Sequence, residues 1–199
     1  MSRTGNVMPR RGDFLPRKID KRSILLEVAE NLICRQGFHS TTLADISRES
    51  GISLGNLYYY YKTKNEILSA VTERQIKKFD TYKTDLDLIP DPRYRLVVFI
   101  KMSIVDCDRI AAYGCSVGSL SQELNKGNGC SLDELPNPLK GPLDWASEQF
   151  RLMGKQDANA LGGWFFATLQ GAALLANSFK DTEIFVEQAE RLIAWVDSL

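Results

Sequence analysis

At 199 residues, with 44% hydrophobic and 25% charged side chains, the chain has the make-up of a globular protein with room for a sizeable core, and collagen-like or broadly disordered chains are excluded. The formal net charge is zero, but residues 1–64 carry 11 Lys and Arg against 6 Asp and Glu, a balance of +5, which leaves 14 against 19, or −5, for the remainder. A basic front third followed by an acidic remainder suits a chain whose first part meets a polyanion.

Residues 1–18 read as a disordered basic arm, with Arg3, Arg10, Arg11, Arg17 and Lys18 spread among Gly and Pro. The arm has no apolar run that could serve as a signal peptide, so the expectation is a cytoplasmic protein. Its arginines fit either a solvated tail or a second contact to DNA. Beyond it, Leu25, Val28, Ala29 and Leu32 follow the i, i+3, i+4, i+7 spacing of a helix over 19–36, which Gly37 closes. Thr42 caps a short helix over 43–50 that Gly51 ends, and Ser53 caps the next, to about residue 60. Thr63-Lys64-Asn65-Glu66 is a capping box, in which Thr and Glu each satisfy an orphan amide, opening a fourth helix to about residue 87. Pro90-Asp91-Pro92 breaks the chain. Helices are predicted after it over 92–113, 115–125, 138–153, 157–178 and 182–197. No segment alternates with period two, so the fold class is all-α, with a three-helix N-terminal domain over 19–65 and a helical domain over 66–199.

Two short helices joined through Gly51 fit a helix-turn-helix, whose second member lies in the major groove of DNA. The stretch Gly51 to Glu66 is dense in hydroxyls, small residues and lysines, all suited to a phosphate backbone. Lys62 and Lys64 stand at a helix start, where the dipole disfavours a cation unless something anionic compensates, and a phosphate would do so. Tyr58 and Tyr59 adjoin these lysines and are read as DNA-facing, whereas Tyr61 is read as core.

Thr41-Thr42-Leu43-Ala44-Asp45-Ile46, the glycine turn and Leu57 through Lys64 resemble the DNA-binding domain of the TetR family, over roughly residues 23–71. The resemblance implies that Ser53, Gly55, Asn56 and Tyr59 face the groove and that Thr42, Tyr58 and Lys64 hold phosphates. Tyr60 stands where many members have histidine, and Tyr61 where most have phenylalanine. The family also implies a homodimer on double-stranded operator DNA, a second domain for ligand binding and dimerisation, a small-molecule inducer, and no cofactor. Inducer binding would favour a conformation that splays the two reading heads, with the fourth helix as lever.

In the second domain Phe99, Met102, Tyr113, Cys115, Trp145, Phe150 and Trp164 are each open to two readings, as plain core or as the lining of a ligand pocket. Tyr113-Gly114-Cys115 and the residues after it resemble a Gly-Cys segment of one TetR subgroup, some of whose members sense electrophiles or small acids. At a helix start Cys115 would be a reactive thiolate in one reading and an inert buried thiol in the other. The 22 uncharged residues from Ala158 to Phe179 could span a bilayer by length alone. Their asparagines, glutamine and small residues, without flanking basic clusters, favour a buried helix and no membrane contact. By the family's pattern, the last two helices pair across the dimer through Phe165, Leu169, Ala172, Ala176, Phe185 and Leu192.

Catalysis is not expected. His39 is the single histidine, in a short link with no recognisable partner, and Cys34, Cys107, Cys115 and Cys130 show no metal-binding or disulfide spacing.

Overall fold

The computed structural model describes residues 20–126 and 135–199; the basic arm at 1–18 and Cys130 lie outside them. Ten helices and no strand occur among the described residues: α1 (Lys21–Gln36), α2 (Leu43–Ser50), α3 (Leu54–Tyr60), α4 (Lys64–Asp87), α5 (Pro92–Val105), α6 (Cys107–Tyr113), α7 (Ser116–Lys126), α8 (Lys140–Leu152), α9 (Ala158–Phe179) and α10 (Thr182–Asp197).

The early caps form as their sequences dictate. The Thr42 hydroxyl accepts from the Asp45 amide at 3.1 Å and the Asp45 carboxylate accepts from the Thr42 amide at 3.1 Å, a reciprocal box that starts α2. Gly51 ends that helix at φ +67°, a left-handed conformation that glycine adopts without strain. At α4 the Thr63 hydroxyl accepts from the Glu66 amide, while Glu66 reaches one residue further back than a standard box, to the Lys62 amide at 2.8 Å.

The helix predicted over 92–113 is two helices. Asp106 leaves the helical conformation at φ −95° and ψ 10°, and its carboxylate accepts instead from the Arg109 guanidinium one turn ahead. The segment Ser103-Ile104-Val105-Asp106 holds β-branched residues and an aspartate, all weak helix formers, and the helix gives way there.

Two hydrophobic cores organise the helices. The first joins Leu25, Ala29, Leu32, Ile46, Leu57 and Tyr61 to Ile67, Leu68 and Val71 of α4 and to Leu120 and Leu124 of α7. Packing therefore carries the N-terminal unit past the boundary expected at residue 65 and draws in a helix from far along the chain. The second is a bundle in which α9 lies between α8 and α10, and α10 lies on α5. Its centre is the ring cluster of Phe150, Phe165 and Trp195, with Phe150–Phe165 centroids 6.0 Å apart.

This bundle corrects the interface residues named from sequence. Phe165, Leu169, Ala172, Ala176, Phe185 and Leu192 are all buried within the single chain, at 5% exposure or less. The outward apolar face of α9 is formed by Trp164, Ala167, Leu174, Leu175 and Phe179. A helix with no charge has no polar face to mark which side turns inward, so periodicity alone does not separate the two. Among the described residues no helix is long and apolar enough to cross a membrane.

Gly162 sets the approach of α8 to α9: a Cβ there would sit 2.7 Å from Ser147 Cα and 2.8 Å from its nitrogen. Gly162→Ala is therefore expected to lower the unfolding free energy by about 1–3 kcal/mol through overpacking. Urea denaturation measures this, and an unchanged midpoint would refute the close approach.

Candidate functional sites

The α3 surface is built by subtraction. Of its seven residues only Leu57 is buried, and it anchors the helix in the first core. Ser53, Gly55, Asn56, Tyr58 and Tyr59 are exposed, with Tyr59 at 75%, so one apolar anchor presents a row of small, amide and phenol groups to solvent. The Ser53 hydroxyl accepts from the Asn56 amide and holds the start of the row. Tyr61 is core, as the sequence suggests, with the Arg22 guanidinium 5.7 Å from its ring centroid.

The residues expected to hold phosphates have structural duties in the free chain. Besides capping α2, the Thr42 hydroxyl donates to Asp45 at 2.6 Å, and this bond, with the Thr42 amide and Arg48, holds the Asp45 carboxyl below the usual carboxylate range. Lys62 Nζ donates to the Tyr58 carbonyl at 2.7 Å, at the C-terminal end of α3 where a cation is favoured. Lys64 Nζ donates to the His39 carbonyl at 3.0 Å and lies 4.3 Å from the Phe38 ring centroid. Desolvation lowers its pKa, and Glu123 opposes that effect. The two lysines near the start of α4 thus have carbonyl partners within the free chain. Arg48, exposed at the end of α2, is a further cation on this side that the sequence reading passed over.

In the second unit a cavity of about 280 Å³ lies among α4, α5, α6, α8, α9 and α10 and the start of α7. Of the residues expected to line it, Phe99 and Cys115 do. Met102 and Trp164 are half exposed on the outside, at 51% and 50%. Tyr113 faces a separate polar cavity against α1. Phe150 is fully buried core, and Trp145 stands behind Phe99 with its indole N–H donating to Asp87 at 3.0 Å. Aromatic content identifies candidates without saying which side of a helix they take.

The residues missed are on α4: Gln75, Lys78, Phe79 and Tyr82 line the cavity at i, i+3, i+4 and i+7, a spacing readable in the sequence as one helical face. The Tyr82 hydroxyl is buried with no hydrogen-bond partner among the described residues, and burial pushes its pKa up to about 12.

Polar contacts also join the units. The Glu30 carboxylate of α1 accepts from Arg74 Nε and Gln75 Nε2, both at 2.8 Å, and from Lys78 Nζ. Glu123 of α7 accepts from the Phe38 amide at 2.6 Å. Arg109 of α6 donates to Cys34 Sγ at 3.4 Å, while burial pushes the Cys34 thiol up. Cys115 Sγ accepts from Gln170 at 3.5 Å, so its neighbour is an amide and not a cation.

Because the neutral Tyr82 phenol is favoured in the folded chain, its contribution to stability is complete below the ordinary pKa of 10.0 and is lost as the pH rises toward about 12. Spectrophotometric titration should find one phenol ionising near pH 12 that Tyr82→Phe removes.

Residues 25–71 match the family of bacterial regulatory proteins, tetR family. Over 186 residues the chain is 26% identical to an uncharacterised helix-turn-helix transcriptional regulator, YxaF of Bacillus subtilis, covering 87% of this chain and 93% of that protein. The fold matches a TetR-family regulator from Agrobacterium tumefaciens with a TM-score of 0.76 and 22% identity, over 87% of this chain and 96% of that one. It also matches the regulator FadR of Bacillus subtilis, solved in complex with stearoyl-CoA, with a TM-score of 0.66 and 18% identity, over 87% and 96%.

Proposed function

We propose that the chain is a homodimeric repressor of the TetR family of helix-turn-helix transcriptional regulators, held on a palindromic operator and released by a small-molecule inducer. The observation that carries this reading is the α3 surface, one buried anchor supporting a solvent-facing row, joined by the continuous helix α4 to a partly open aromatic cavity.

In this reading Ser53, Gly55, Asn56 and Tyr59 meet base edges, and Thr42, Tyr58, Lys62 and Lys64 position the backbone, acting in the cytoplasm where operator DNA is found. Residues 19–65 read DNA, while 66–199 bind ligand and dimerise, with the start of α4 and the end of α7 lent to the first core. The dimer forms through the outer face of α9, because an uncovered apolar stripe of this kind marks an association surface. Binding of a ligand by the FadR relative supports an inducer here. The inducer shifts the population toward a state with the reading heads apart, and it does so only by differential affinity for that state. Neither a thiol-sensing reading centred on Cys115 nor a ligand-independent DNA-binding role gains support from these contacts.

The test is binding to DNA flanking the chain's own gene, against a scrambled duplex, across a salt series. Specific binding should fall steeply with salt. Asn56→Ala and Tyr59→Ala should each weaken it by about 1–3 kcal/mol while leaving the circular dichroism unchanged, since both side chains are exposed. Equal affinity of wild type for both duplexes would refute operator reading. Leu174→Glu or Leu175→Glu, which place a charge on the outer face of α9, should convert the dimer to monomer in sedimentation velocity. An unchanged sedimentation coefficient would place the interface elsewhere.

A further inference from the structure

The cavity's polar groups are few and unevenly placed. Among the described lining residues Lys78 is the one that carries a charge, and the Tyr82 hydroxyl lies one turn further along the same helix face. That hydroxyl is a buried donor without an acceptor, which ordinarily costs stability and calls for an explanation. Opposite them are the rings of Phe99, Phe166 and Phe185. Lys78 also bonds to Glu30, which is not part of the cavity wall; the Lys78 side chain is 50% exposed and that of Glu30 12%.

Resting on the inducer reading above, we infer that the ligand is a compact monocarboxylic acid, its apolar body against the rings and its carboxylate between the Lys78 ammonium and the Tyr82 hydroxyl. A cation is disfavoured because Lys78 repels it and Tyr82 offers a donor. A dianionic phosphate is disfavoured because a single cation faces the cavity and Glu30 lies just behind it. The volume of about 280 Å³ sits at the small end of the ~300–1,000 Å³ range of ligand sites, which selects a short chain or one ring.

The bound carboxylate competes with Glu30 for Lys78. Glu30 then keeps Arg74 and Gln75 but loses one of three donors, so the tie between α1 and α4 loosens when the cavity fills. This links head-group recognition to the reading head through a proton-neutral exchange of partners.

The experiment is calorimetric titration of the full chain with 4-phenylbutyrate and octanoate, each beside its primary amide and amine. The acids should bind roughly tenfold or more tightly than the neutral and cationic analogues, as expected of hydrogen bonds to a charged group. Lys78→Met should bring the acids down to the amide level, and Glu30→Gln should tighten them severalfold by removing the competitor. Tyr82→Phe, which deletes an unpartnered hydroxyl and keeps the ring, should weaken the acids severalfold with folding intact. Amide or amine binding as tight as acid, or acid binding unaffected by both Lys78→Met and Tyr82→Phe, overturns the head-group assignment and leaves an inducible regulator standing. Absence of binding by every probe, with operator binding retained, overturns the acid; a wider screen in which no compound releases the operator would overturn the inducer reading as well.

Discussion

A single uninterrupted helix has to serve two cores, and the rest of the architecture depends on that constraint. The first turns of α4 bury Ile67, Leu68 and Val71 beneath the helix-turn-helix, and its last turns carry Phe79, Tyr82 and Leu86 against the C-terminal bundle. Its 24 residues span about 36 Å at the usual rise of 1.5 Å per residue, with no proline or glycine to absorb a bend. In the proposed inducible regulator, a displacement at the cavity end would reach Lys64 and the α3 surface as a change in the helix's direction. Glu30 pins α1 to the middle of that helix through Arg74, Gln75 and Lys78.

Electrostatics plays unequal parts across the molecule. Exposed pairs such as Lys140 with Asp144 and Arg151 with Glu148 lie along helix surfaces, where ion pairs contribute at most about 1 kcal/mol. Glu30 differs because its carboxylate is largely shielded and receives several donors at once. Removing all of them would strand a shielded charge, whereas removing one leaves it satisfied. A carboxylate with partners to spare can yield one without unfolding its surroundings, and a regulatory contact needs that property.

The sequence made the helix starts and stops legible where a cap was written into it: Thr42 with Asp45, Gly51, Ser53 and Thr63 all form, although Glu66 turns to the Lys62 amide in place of the Thr63 amide. It also separated Tyr61 from the exposed Tyr58 and Tyr59: the chain turns extended at Tyr61, just past α3, and its ring enters the first core. Three things were not legible. The break at Asp106 falls among weak helix formers inside a segment whose apolar spacing continues. The inward and outward faces of α9 carry the same residue classes, so the sequence reading assigned inner residues to the outer role. The duties of Lys62 and Lys64 depend on carbonyls at Tyr58 and His39, whose direction no spacing rule reports.

The Glu123–Phe38 bond joins residues 85 positions apart, and its surroundings bear on modularity. Residues 25–71 look like a portable unit, yet in this fold Leu120 and Leu124 complete their core and Glu123 occupies the space beside Gly37. Grafting those residues alone onto another effector domain would carry every reading side chain across and leave a hole where α7 was. The turn before α2 would lose the acceptor for its first amide. A graft is then expected to fold only when α7 comes along, so the boundary of the first core in space is not its boundary along the chain.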